Sequence, residues 1–498
     1  MSTELRNRFN KERDTAGEDS DSVAETPSNA VSEPETITIK KTFKGRVEQL
    51  LGYVLGDAYY LVKYPHTITW LMLFLCICVT YFGFIRTPGT YEQDIKAGIC
   101  LLCVFFTIFG ALNFPNSPLT RPHPCVWKIL LSFALIYEMF LLFLLCLTQD
   151  DARLFLKYID PSLGVPLAYR DYASDCRVYT PEKDFPFSNV RDVVFDEFFL
   201  SHLLGWIAKA LIFRDWGILW ILSILFEVLE VSCEHILFNF KECWWDKVFA
   251  DVLGCNFVGM AIGMWIVKKL QARDYHWVDY PDIPNNWGKM KRIVAQFTPM
   301  SWTTYKWNMF GSFRRYVQCA GVIILFEIVE MDAFFLKSSL YLEPPHYLNI
   351  IRLLIWFGLA LSALTEIYNY FSMEGPGKRL GTYAWTAILL AFTEVMVVIK
   401  DGKGIIYGPN IAPMPGFVFW NWVLFIALHV IWLVIYLIYG SGTKTVVNTD
   451  SPVPTDPANN KKIMIFGREF DQKLFFCILP TPLLSILAWN LLGFSNKL

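Results

Sequence analysis

The stretch from Phe226 to Asn256 reads FEVLEVSCEHILFNFKECWWDKVFADVLGCN. It sets Glu227, Glu230, Glu234, Glu242, Asp246 and Asp251 in or beside sequence apolar enough to enter a bilayer. Ionisable side chains at that depth are costly and mark function. Clustered carboxylates require a cation, and an all-oxygen donor set suits Ca²⁺ or Mg²⁺. The stretch therefore reads as part of an intramembrane, metal-dependent site.

Composition points the same way. The 498 residues are 54% hydrophobic and 18% charged, with mean hydropathy +0.35. A soluble domain carries about 25% charged residues. A net charge of −2 gives no bulk attraction to polyanions, so a nucleic-acid partner is not expected. No basic start with a short apolar run and a small-residue cleavage site is present, so a removed signal peptide is not expected. The 12 cysteines are scattered without paired C-x-x-C spacing, which argues against zinc.

Working outward, residues 1–40 are rich in Ser, Thr, Glu and Asp and read as a disordered tail. Apolar runs able to cross about 30 Å of hydrocarbon lie near 67–86, 97–113, 128–147, 196–213, 216–236, 245–267, 315–336, 348–370, 380–399 and 416–439. The expected fold is an all-α, polytopic membrane protein of about ten transmembrane helices, with a multi-span catalytic domain over 41–440. A C-terminal tail over 441–498 carries one more apolar segment near 473–493, broken by Pro480 and Pro482 and read as an interfacial or re-entrant helix, with an eleventh span as the alternative. Lys and Arg fall mainly before the first span and after even-numbered spans, which places both ends of the ten-span core in the cytosol. The opposite side receives the acidic loop 149–195, together with Cys176 and Cys243. A disulfide between these two would pin that loop over the acids. Two free thiols are the preferred reading, because Cys243 borders the hydrocarbon and sequence does not set their separation.

By helical rise, the fourth, fifth and sixth spans deliver His202, Glu227, Glu230, Asp246, Asp251 and Asn256 to one leaflet, with Asn239 and Glu242 in the turn between. A lone intramembrane His more often bonds a neighbouring helix than acts as a base, and an isolated Glu is as often structural. Their convergence is what argues for chemistry. Glu138, Glu327, Glu330, Glu366 and Glu394 are weaker, isolated cases. Two function classes follow: a cation- or proton-coupled transporter, and a lipid-modifying transferase whose metal meets a phosphate. A transporter favours broken spans in two matching halves. The acids here cluster in one region, which tilts the reading to the enzyme.

The chain resembles the eukaryotic base-exchange phosphatidylserine synthases over about Tyr64 to Tyr439. The carriers are PHTIT at 65–69, FPNSPLTRPHP at 114–124, SHLLGW around His202, FEVLE at 226–230, NFKECWWDKVFADVLGCN at 239–256, QFTPMSW at 296–302 and FFLK at 334–337. It is similar to the type-2, phosphatidylethanolamine-using enzyme at 155–172, 288–293 and 346–354. Asp332 and Ala333 depart from the related blocks, which have Asn and Thr there. The resemblance implies a multi-pass protein of the endoplasmic reticulum membrane, a Ca²⁺ cofactor and a homodimer. The substrates it implies are L-serine and a membrane phospholipid. It also implies a catalytic His202, metal ligands among Glu227, Glu230, Glu242, Asp246 and Asp251, substrate-binding amides at Asn239 and Asn256, and product inhibition through Arg121 and His123. Serine would replace ethanolamine either directly, with His202 as base, or through a covalent phosphatidyl-His202; both routes stay open. The D-G-x-x-A-R…G…D…D motif of nucleotide-lipid-dependent synthases is absent.

Overall fold

Helix starts follow local capping chemistry. The computed structural model describes residues 67–119, 121–167, 175–195, 197–237, 240–271, 283–295, 302, 304–309, 312–343, 346–373, 379–406, 413–439, 462–465, 468–471 and 480–491. Helix α1 (Thr67–Thr80) continues into a π-helical turn, Tyr81–Ile85. Helix α2 (Tyr91–Asn113) opens on a capping box: Thr90 Oγ1 accepts from Gln93 N and Gln93 Oε1 accepts from Thr90 N. Those bonds satisfy amides that a helix start leaves open. The chain continues through α3 (Pro124–Cys146), α4 (Gln149–Ile159), α5 (Ser188–Val194), α6 (Glu197–Phe213) and α7 (Trp216–Cys233). A π-helical segment, Asp246–Asn256, leads into α8 (Phe257–Gln271). Then come α9 (Asn286–Ala295), α10 (Phe313–Leu340), α11 (Tyr347–Ser372), α12 (Thr382–Asp401) and α13 (Gly416–Tyr439). A two-stranded hairpin pairs β1 (Lys462–Ile465) with β2 (Arg468–Asp471), and α14 covers Thr481–Leu491.

The ten apolar runs all carry helices. Among the described residues, seven helical stretches are long and apolar enough to cross a membrane: α2, α3, α7, Asp246–Leu270, α11, α12 and α13. Leu71–Ile85 and Phe199–Phe213 are apolar but shorter. The tenth, α10, is long but carries Glu327, Glu330 and Asp332 through its middle. The protein is thus a polytopic helical membrane protein, and among the described residues seven helical stretches meet the length and composition needed to span. The sequence-based acidic loop 149–195 is partly helical, as α4 and α5. Gln149 and Arg153 of α4 both donate to the Ser339 carbonyl at the end of α10. The tail expected at 1–40 lies outside the described residues. Helix α14 has 11 residues and packs through Leu483 and Ile486 on Val418 of α13 and Val228 and Val231 of α7.

The core joins α3, α6, α7, α10, α11 and α12 through Leu131, Trp206, Leu222, Ile323, Leu361 and Leu390. Two features aim the α6 to α8 region at one place. Arg214 adopts a left-handed conformation (φ 52°) and its N–H closes on the Ala210 carbonyl, so α6 ends and the chain reverses within two residues. Asp215 then caps α7 by accepting from Ile218 N at 3.1 Å. The second feature is Gly259-x-x-x-Gly263 on α8. A Cβ at Gly259 would lie 2.6 Å from Trp206 Cβ, and one at Gly263 would lie 2.5 Å from Ala210 Cβ. In lipid, where helix association rests on close packing, such small-residue spacing lets backbones approach. It presses α8 onto α6 directly beside His202.

Candidate functional site

The α6–α8 approach brings His202 against the end of the π-helical segment. His202 Nε2 lies 2.7 Å from Asn256 Oδ1. The Asn256 amide nitrogen faces two acceptors, Ser223 Oγ at 2.8 Å and Glu227 Oε1 at 3.2 Å. That turns its carbonyl toward the ring, an arrangement served by the tautomer that donates through Nε2 and keeps its lone pair on Nδ1. Trp206 Nε1 stands 3.1 Å from the same Nε2 and serves the opposite tautomer. The result is a directed chain, His202 to Asn256 to Glu227, joining three elements. Asn256 is fully buried and Glu227 is 2% exposed.

The remaining acids gather behind this chain. Glu227 lies within electrostatic reach of Glu242 and Lys247, and Glu230 of Glu227 and Lys247. Asp251 feels Glu242, Glu227, Glu230 and Asp246. The π-helical path contributes here, because its wider turn brings residues five apart closer to one face than an α-helix does. Asp246, Asp251 and Asn256 share that spacing. Lys247 is buried among these acids and forms an ion pair with Glu234. Glu242 sits in the turn before the π-helical segment. Burial there, reinforced by Glu230, Asp246 and Glu234, pushes its carboxyl well above the usual carboxylate range, against the pull of Lys247.

Donor chemistry fits a hard cation. Glu227 Oε2 and Glu242 Oε2 are buried and have no hydrogen-bond partner among the described residues. Buried carboxylate oxygens left in that state are costly unless a cation or a proton meets them. Among the described residues these side chains are not drawn onto one point: no group of three or more His, Cys, Asp or Glu is arranged to hold a metal ion.

The structure therefore brings together His202, Asn256, Glu227, Glu230, Glu242, Asp246 and Asp251. Asn239 lies outside the described residues. Arg121 and His123 stand at the start of α3 instead. The Arg121 carbonyl accepts from Trp302 Nε1 at 3.3 Å, and His123 Nδ1 accepts from Cys125 N at 3.2 Å as the cap of α3. The preference for two free thiols is corrected: Cys176 and Cys243 form a disulfide with Cα atoms 5.2 Å apart. Tertiary folding returns the 175–187 segment to the turn beside Glu242, a proximity that 67 residues of separation hide. Sequence reasoning also passed over Ser223, Lys209 and Lys247. The lysines were findable, since a cation in an apolar helix is as costly as an acid.

Residues 122–402 match the family described as phosphatidyl serine synthase. The chain is 39% identical over 370 residues to phosphatidylserine synthase 2 of Danio rerio, covering 74% of this chain and 80% of the relative. It is 38% identical to phosphatidylserine synthase 2 of Homo sapiens, covering 74% and 75%. It is also 37% identical to CDP-diacylglycerol--serine O-phosphatidyltransferase 1 of Arabidopsis thaliana, covering 68% and 81%.

Proposed function

The chain belongs to the phosphatidyl serine synthase family, and on that premise we propose that it is a calcium-dependent base-exchange phosphatidyltransferase. L-serine replaces the ethanolamine of phosphatidylethanolamine and yields phosphatidylserine. Membership in a synthase family favours the enzyme over the transporter. The observation that carries the reading is the His202–Asn256–Glu227 chain backed by buried carboxylate oxygens without partners.

The residues divide the work. A serine hydroxyl is a weak nucleophile until a base takes its proton. His202 Nδ1 is that base. As it accepts the proton, Asn256 Oδ1 receives the Nε2–H and the Glu227 carboxylate stands behind to stabilise the imidazolium. The serine oxygen forms a new bond to phosphorus, and the bond from phosphorus to the ethanolamine oxygen breaks. The proton held by His202 passes to that leaving oxygen. One ester is exchanged for another, so no nucleotide is consumed. Glu227, Glu230, Glu242, Asp246 and Asp251 would hold calcium, which when bound neutralises charge on the phosphate oxygens. Work as a homodimer in the endoplasmic reticulum membrane, with a cytosolic N-terminus, belongs to the same proposal.

A second donor is raised by the printed name of the Arabidopsis relative, which takes its phosphatidyl group from CDP-diacylglycerol. The absence from this sequence of the motif used by nucleotide-lipid-dependent synthases favours phosphatidylethanolamine. The test is radiolabelled serine incorporation by the purified protein in vesicles holding either lipid, with and without a calcium chelator. Incorporation with phosphatidylethanolamine, with ethanolamine released and activity lost on chelation, is expected. Incorporation with CDP-diacylglycerol alone, with CMP released, would establish the second reading. Incorporation with neither lipid would overturn both.

A further inference from the structure

L-serine presents three polar handles, and the mechanism above uses only its hydroxyl. Its α-carboxylate is an anion that must enter a region dense in carboxylates, so a cation has to receive it. Its α-ammonium needs an acceptor close by.

Lys209 stands two turns after His202 on α6, on the same face, and is 7% exposed. Its Nζ lies 3.8 Å from the centroid of the Trp206 ring. The N–H edge of that same indole is 3.1 Å from His202 Nε2. One ring therefore separates the ammonium from the proposed base, and His202 feels its charge. Lys209 Nζ also meets Glu330 Oε1 of α10 at 2.7 Å. An ammonium has three donors, so that ion pair leaves capacity for a second carboxylate.

Glu327 lies one turn before Glu330 on the same face of α10. It is 3% exposed, and neither of its carboxylate oxygens has a hydrogen-bond partner among the described residues. It lies within electrostatic reach of Lys209, Glu330, Glu230 and Glu227. A buried cation with donors to spare thus neighbours a buried carboxylate with both oxygens open, an arrangement complementary to a zwitterion.

We infer that Lys209 and Glu327 form the α-amino-acid subsite, Lys209 Nζ receiving the substrate carboxylate and Glu327 receiving its ammonium. This rests on the serine-transfer reading above. It also accounts for direction. Serine and the departing ethanolamine differ by one carboxylate, so the Lys209 contact is the one that tells them apart. A site built to pair a charged group rejects the analogue lacking it far more strongly than a hydrophobic pocket does.

The test uses the full-length protein in phosphatidylethanolamine vesicles, with radiolabelled L-serine and radiolabelled ethanolamine as alternative incoming amines. Lys209→Met combined with Glu330→Gln removes both partners of the ion pair. It is expected to raise KM for serine about tenfold or more while changing KM for ethanolamine less than about twofold. Lys209→Arg, which keeps the cation, should recover most of the serine affinity. Glu327→Gln strands no partner and should raise KM for both amines. A double variant that alters the two amines equally, or leaves serine KM unchanged, would assign the pair to holding α6 against α10 and overturn the inference. Unchanged KM values in Glu327→Gln would overturn the ammonium half. Wild-type protein that exchanges ethanolamine but takes no serine would instead overturn the serine-transfer reading itself.

Discussion

Two buried charged regions of this molecule obey opposite rules. Between α3, α10, α11 and α12, Arg352 grips Glu394 through two nitrogens, at 2.8 and 2.6 Å. Tyr137 and Trp356 donate to the same carboxylate, at 2.7 and 3.0 Å, and Arg352 also reaches the Val329 carbonyl. Glu394 is fully buried and neither of its oxygens is left over. At the rim, Glu138 accepts from Thr393, while Glu138 Oε2 and Asp332 Oδ2 have no partner among the described residues. Around α6, α7 and the π-helical segment the balance is reversed: carboxylates outnumber the lysines beside them and several oxygens go unmatched. A closed charge network holds helices together; the open one is where the proposed function places a bound cation. Burial alone does not separate the two, and hydrogen-bond accounting does.

The comparison can be broken by experiment. The largest effect is expected at His202. His202→Ala should lower serine incorporation about 10²- to 10⁴-fold with the folded protein recovered normally. Activity within a few-fold of wild type would remove both the base and the covalent route. Next comes the closed network. Glu394→Leu strands Arg352 and should cost about 3–5 kcal/mol of stability, much of it regained when Arg352→Met is added. Thermal unfolding in detergent reads this directly, and a single variant as stable as wild type would end the structural assignment.

The disulfide follows in size. Cys243→Ser should lower stability by about 2–4 kcal/mol. Alkylation of native membranes without reductant, followed by mass spectrometry, should leave Cys176 and Cys243 unlabelled. Labelling of both would show that no bond forms in the cell. The smallest effect belongs to the open network. Glu227→Gln, Glu230→Gln and Asp251→Asn should each raise the calcium concentration for half-maximal activity about tenfold, within the range seen for altered metal sites, with stability unharmed. A calcium response identical to wild type in all three would move these acids into the structural class.

Much of this was legible in the chain. Each of the ten apolar runs carries a helix, because a span must satisfy its backbone internally and be apolar over its length. Helix α10 has the length of a span, and Glu327, Glu330 and Asp332 interrupt its apolar run. Helix α4 went unseen because it is short and amphipathic rather than apolar. The members of the acidic cluster were visible because carboxylates stand out against such a background. Lys209 and Lys247 were passed over, although they decide how far that cluster is already neutralised.

Composition and periodicity by themselves determined that this is a polytopic helical membrane protein, and that its unusual acids lie along three successive elements. Those are properties of single segments in a solvent that tolerates few alternatives. Only the tertiary structure decided which acids are open and which are spent. In an α-helix, Asp246 and Asp251 would point about 140° apart; the wider turn of the π-helical path brings them closer to one face. The Gly259–Gly263 seam brings Asn256 to His202, and the Cys176–Cys243 bond returns a distant segment to the turn beside Glu242. A hydrogen bond or a missing partner is a relation between residues far apart in sequence, and it comes into being only when packing sets their separation.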